Sequence, residues 1–392
     1  IVLLRRAGQS FAALWRYDEY GKTMKMEIPL QTSEILAFNL VGETISLPAT
    51  GNLTLELGRN VVWLYPKPGC SNKRFETALR GIRLFQPSIA VQPEKNGVNV
   101  TVVNPTTQEL YDVLEAPELR LREPLRLGPG EKRTYRCSSF SFSPAGEAFS
   151  VKLGSLESSP MRMIQVVRAE NPPLIDGSLE EFSGAAFYSP DPAKPTSLCL
   201  RGGTGAEYRG KDDLSGRLAL LWDDQNLYLG AEIRDDVHCT PHTDPALYWA
   251  NDALHLSFIM PGRPGSVQVE ELSELAISHQ RDKAVASRVM GEPVSLLPEV
   301  RAAVIRRGGT TFYEAAIPWR VLKSGFIPGH SPSPKFNFSF SDNDGIRVPG
   351  SPPLLKGYQK ALQLNRGIAD LKSSTDAAFL IFSPPQNREE AK

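Results

Sequence analysis

The stretch LALLWDDQNLYLGAEIRDDVHCTPHTDPALYWANDALHLSFIM, Leu218 to Met260, decides the fold class. Two apolar runs, Leu218–Trp222 and Leu227–Ile233, flank Asp223, Asp224, Gln225 and Asn226, residue types that favour turns. Strand, turn and strand together spell a β-hairpin. A loop rich in Asp and His follows, then Trp249, then the alternating run Ala253–Phe258. Leu227 with Leu229, and Leu254 with Leu256, keep the period of two that a one-sided core requires. These four, with Trp222 and Phe338, are expected to face inward.

The rest of the chain agrees with an all-β reading. Its 32 prolines and 31 glycines punctuate short strand-like runs. A length of 392 residues exceeds one ordinary sandwich and suits two or three domains. Lys plus Arg and Asp plus Glu number 44 each, so no global field favours nucleic acid, and the arginines at 301, 306 and 307 read as solvated strand ends. No apolar run approaches the length needed to span a bilayer. The chain opens on Ile1 and reads as a piece of a longer or processed protein, with any export signal upstream or absent. Cys70, Cys137, Cys199 and Cys239 lack CxxC spacing, so a disulfide is open but not implied.

Three tandem antiparallel β-sandwiches are expected. Residues 1–68 form the first, with Thr54–Leu57 alternating cleanly. Residues 70–85 read as a short helix or an ordered linker. Residues 86–154 have the turn spacing of a small immunoglobulin-like domain, at Asn96-Gly97, Asn104-Pro105 and Gly128-Pro129-Gly130. The segment Gly154–Pro160 is the linker into the third, residues 160–385. Within that domain, Ser189–Ser215 reads as a surface loop, long enough that partial ordering by its neighbours or by a bound ion is the alternative.

The third domain resembles carbohydrate-binding module family 9, the DOMON-like β-sandwich lectin domain of secreted polysaccharide-degrading enzymes. The likeness rests on the Leu218–Met260 stretch and on three further segments in the right order. These are Pro172–Glu181 (PPLIDGSLEE), Glu314–Trp319 (EAAIPW) and Phe336–Asp344 (FNFSFSDND). Residues 1–68 look like the small β-sandwich that follows the catalytic barrel of many glycoside hydrolases. Together these resemblances imply a non-catalytic accessory region, extracellular or periplasmic, that holds a polysaccharide or oligosaccharide beside a catalytic domain upstream in the same chain. A purely structural module that has lost its sugar site is the rival reading.

In the family resembled, two Trp side chains sandwich a sugar, because sugars present apolar C–H faces to rings and hydroxyls to polar groups. Trp249 falls on the first of these positions; plain packing against the sheet end is its other reading. The segment Ala361–Lys372, where the second would lie, has no aromatic residue, and Tyr358 stands just before it. His255 stands where the family has a Glu. Asn251, His255, Gln363 and Arg366 are the candidates to bind hydroxyls, with Trp249 placed near Asn365–Leu371 across a shallow cleft. For structural calcium, which the family often carries, the candidate ligands are Asp235, Asp236, Asp342 and Asp344; service in turns is the alternative. Asp176, Asp244, Asp252 and Asn343 add further oxygens. His238 and His242 lie four apart, but Pro241 argues against the helix that a zinc pair at that spacing needs. No carboxylate pair can be placed for glycoside hydrolysis, and GxSxG, HExxH and P-loop motifs are absent.

Overall fold

Asn52–Leu57 buries Leu53, Leu55 and Leu57 and turns the residues between them outward, the alternation of a strand with one face on a core. The computed structural model describes residues 2–6, 8–15, 24–47, 50–58, 60–84, 86–94, 97–106, 108–200, 207–262, 270–281, 283–345, 357–370, 372–374 and 376–383. Asn96 and Leu371, which belong to the turn and cleft segments expected above, lie outside them.

The first core lies between a four-stranded sheet of Val2–Arg6, Gln9–Leu14, Val62–Pro66 and Ile35–Phe38 and a three-stranded sheet of Asn52–Leu57, Met24–Gln31 and Arg83–Leu84. Residues 72–80 are a helix. Ser71 caps it by accepting from Arg74 N, and its Phe75 and Ala78 enter the core. The second core lies between the sheet of Leu121–Leu127, Leu110–Ala116, Lys152–Leu153 and Leu156–Glu157 and that of Lys132–Cys137, Gly97–Val103 and Ser88–Glu94. Met163 and Ile381 also enter this core, from strands that belong to the third sheet.

The third sheet has 14 strands and curls until its two halves pack face to face. Leu220, Leu227 and Leu229 on one half share a core with Leu254, Leu256, Phe338 and Phe340 on the other. The six residues expected to face inward do so: Trp222 is 7% exposed and the other five 0%. Nearly all pairings are antiparallel. Met163–Arg168 departs from this, running parallel to both Leu214–Trp222 and Ala378–Ser383 and thereby joining the two halves. The hairpin falls where expected, as Leu214–Trp222 and Asn226–Asp235, with Asp223 Oδ1 accepting from Gln225 N and Asn226 N in the turn. Ser189–Ser215 is not all loop, because Leu198–Leu200 pairs with Tyr358–Gln363.

Parts of the outer face of this sheet are buried as well. Over the first half, Phe182 packs with Ala219, Leu221, Tyr228 and Ala316. Gly230 makes room for it, since a Cβ there would lie 2.7 Å from the Phe182 ring. Glu314 Oε2 accepts from Asp176 N at 2.8 Å and Gly177 N at 2.9 Å, which ties the Pro172–Glu181 segment to the strand beneath it. No disulfide joins any of the four cysteines.

Candidate functional site

Directly opposed residues of antiparallel strands share a face. On the second half of the curled sheet, Leu254 opposes Ile277 and Phe340, and Leu256 opposes Leu275 and Phe338, all directed into the core. The residues between them point the other way. His255 opposes Ala276 and Ser339, Ser339 opposes Gln363, and Ser257 opposes Glu274 and Asn337. The sheet therefore has an apolar inner face and an outer face of Ser, His, Glu, Asn and Gln.

Two segments roof this polar face. One is the 3-10 helix Pro245–Ala250, begun by Asp244, whose carboxylate accepts from Ala246 N, and packed on the strands Ala253–Pro261 and Glu270–Gln280. The other is the loop after Gln363. Four side-chain amides fasten these roofs. Asn251 accepts from His242 N at 2.8 Å and donates to His242 O at 3.0 Å. Asn343 donates to Ala250 O at 2.7 Å. Asn337 donates to Asn365 O at 2.6 Å, and Gln363 joins Thr196 O to Ala369 N. Asn251 and Gln363, candidates for hydroxyl binding, are thus buried braces whose amides are engaged with backbone. The sequence could not distinguish an amide facing a ligand from one facing the chain.

Trp249 sits on the first roof, partly buried. Its ring meets Tyr358 edge-on, with centroids 5.4 Å apart and planes at 81°. Tyr358 is 2% exposed, so it is the floor under Trp249 and no opposing wall. Trp249 and Ala369 pack against the same small cluster of Ala250, Tyr358 and Ala361, which brings the two roofs together. Arg366 is exposed on the second roof, 3.1 Å from Asp370.

His255 does not reach solvent. Its Nε2 lies 3.3 Å from Glu274 Oε2, which also takes Lys372 Nζ at 2.7 Å. Burial pushes the His255 imidazole below its ordinary range. Burial pushes Glu274 up, but contacts to His255 and Lys372 reverse this and hold the carboxyl below its usual range. Sequence reasoning missed Glu274 and Lys372. The signal for Glu274 was its place in a strand beside His255, which needs the register.

The four aspartates chosen for calcium do not gather around one point. Asp235, Asp236 and Asp344 bring one oxygen each within 4.8 Å of one another. Asp342 faces Lys360 instead. Lys360 is fully buried, 2.9 Å from Asp342, 3.1 Å from Asp213 and 3.8 Å from Asp344. Arg209 reaches Asp236 at 3.1 Å and Asp344 at 3.9 Å. An ammonium and a guanidinium already neutralise this cluster, so the set does not fit calcium, which takes six to eight oxygens. Burial lowers the Lys360 ammonium, yet Asp342 and Asp213 outweigh it and the group is raised overall. Burial lifts Asp342 to about 7.

Residues 196–347 match the model of the carbohydrate family 9 binding domain-like family, so this part of the chain is a domain of that class. A carbohydrate binding module family 9 from Caldicellulosiruptor kristjanssonii, solved in complex with cellotriose, is 12% identical; the match covers 59% of this chain and 97% of that one, with a TM-score of 0.38. For the same organism's module in complex with glucose the identity is 11%, the coverage 57% and 97%, and the TM-score 0.36. No curated protein matches the chain. Among the described residues, no helix is long and apolar enough to cross a membrane.

Proposed function

We propose that the third domain binds a polysaccharide or oligosaccharide without transforming it, on a single aromatic platform at Trp249. The observation that carries this reading is the partly exposed indole of Trp249 on a capped 3-10 turn, next to the loop that presents Arg366. A sugar ring stacks its C–H face on an indole, while the Arg366–Asp370 pair and Lys372 offer donors and acceptors to hydroxyls. Tyr358 packs against the indole, and Asn251 and Gln363 brace the loops. One platform in place of two favours weak binding, with a Kd in the millimolar range, about −4 kcal/mol.

In this reading the chain is an accessory region of a secreted polysaccharide-degrading enzyme, and the catalytic domain lies elsewhere in the parent protein. Tethering keeps that catalytic domain at a high local concentration of substrate. The edge-on packing of Tyr358 under Trp249 favours one rival: a structural module in which the indole serves only to pack. Affinity electrophoresis in gels containing xylan or soluble β-glucan tests the choice. Retardation of the wild-type chain that is lost in Trp249→Ala supports binding; equal mobility with and without every glycan supports the structural module.

A further inference from the structure

The loop that leads to Trp249 contains a second constellation. Asp235 ends the strand Asn226–Asp235, His238 follows three residues later, and Asp252 immediately precedes the strand Ala253–Pro261. Each brings one donor atom within 4.8 Å of the other two. We propose that Asp235, His238 and Asp252 form a binding site for a divalent transition-metal ion of the zinc type.

Two observations point to a ligand here. The Asp252 side chain is 5% exposed, and among the described residues no lysine or arginine pairs with it. Buried carboxylates are ordinarily paired with a cation or bound to a metal. The second is His238. Both its ring nitrogens are shielded from solvent, and neither has a hydrogen-bond partner; the nearest acid is Asp252, with Oδ2 3.6 Å from Nδ1. An ion between the three would satisfy the imidazole and the carboxylate together.

The donor set selects the ion. Calcium and magnesium take oxygen ligands, whereas zinc readily combines imidazole nitrogen with carboxylate oxygen. The surroundings already orient the ligands. Asp235 Oδ1 accepts from Val237 N at 3.0 Å, and Asp252 accepts from Asn343 N at 2.5 Å and from Cys239 N. A carboxylate keeps further lone pairs for a metal after such bonds. The Arg306 guanidinium stands 3.6 Å from Asp235, partly offsetting its charge, so Asp252 and His238 would supply the stronger bonds. A bound ion would cross-link the loop that carries Trp249 to two strands, independently of whether the domain binds sugar.

Zinc titration of the whole chain after chelator treatment tests this, by calorimetry and by the imidazole 15N resonances. We expect one ion per chain, a higher melting temperature with zinc, and displacement of the His238 ring nitrogen signal. His238→Ala should weaken binding by at least about 100-fold, since even outer-shell partners of a metal are worth roughly 10–100-fold. His330→Ala, an exposed imidazole far along the chain, should bind as the wild type does. Should His238→Ala fail to fold, the 15N spectrum of the wild type decides alone. No zinc-dependent shift of His238, or equal affinity in His238→Ala, would overturn the proposal and leave a proton shared between His238 and Asp252 as the occupant.

Discussion

Lys360 Nζ lies 2.9 Å from Asp342 Oδ2, and neither side chain is exposed to solvent. Removing one partner of such a pair leaves an uncompensated buried charge, at a cost of about 3–5 kcal/mol. Lys360→Met should lose stability on that scale. The double variant Lys360→Met/Asp342→Asn should recover part of it, because it removes both charges. Urea unfolding at unchanged m-value measures both. A Lys360→Met protein within about 1 kcal/mol of wild type would mean that the pair does not hold the strand Tyr358–Gln363 in place.

Glu314 makes stability depend on pH. Burial raises its carboxyl from 4.5 to about 7, despite the hydrogen bonds from Gly177 N and Asp176 N. Above that range the group is ionised folded and unfolded, and the folded state carries the burial penalty. Below 4.5 it is protonated in both states and the penalty is gone. Glu314 therefore adds stability as pH falls from about 7 to 4.5, by about 3 kcal/mol in all. Glu314→Gln should flatten that part of the profile, and the difference between the two proteins isolates it from His238. Burial lowers His238 to about 4, which works in the opposite sense below 6.5. Parallel slopes for Glu314→Gln and wild type would contradict the assignment.

How far the sequence reached depends on whether a signal is local. The period of two in Leu227/Leu229 and Leu254/Leu256 is local, and it placed those residues correctly in the core. Phe75 and Ala78 turn the undecided 70–85 segment into a helix through a tertiary contact that no local pattern displays. The polar outer face was illegible for a different reason. Ser257, Ser339 and Ser341 look like solvent-facing strand positions, yet segments distant in sequence roof them over. Lys360 reads as an ordinary surface lysine until the register sets it opposite Asp342.

Braces and contacts should separate experimentally. Asn251→Ala removes the two side-chain hydrogen bonds to His242 N and O, costing about 1–3 kcal/mol, and loosens the loop that ends at Trp249. Arg366 is exposed, and its surface pair with Asp370 contributes about 0–1 kcal/mol. Arg366→Ala should therefore keep the melting temperature and weaken glycan binding, whereas Asn251→Ala should lower both. Thermal melts alongside glycan titrations check this; a large loss of stability in Arg366→Ala would reverse the roles.

A sugar stacked on Trp249 would be held mainly by the indole face. Calorimetric titration of the wild type and of Trp249→Ala with xylo- and cello-oligosaccharides at millimolar concentration tests it most directly. Wild type should bind weakly and saturably, and a folded Trp249→Ala should lose at least tenfold in affinity, equivalent to about 1.4 kcal/mol or more. Equal binding by both proteins, or no heat from the wild type with any of these glycans, would contradict it.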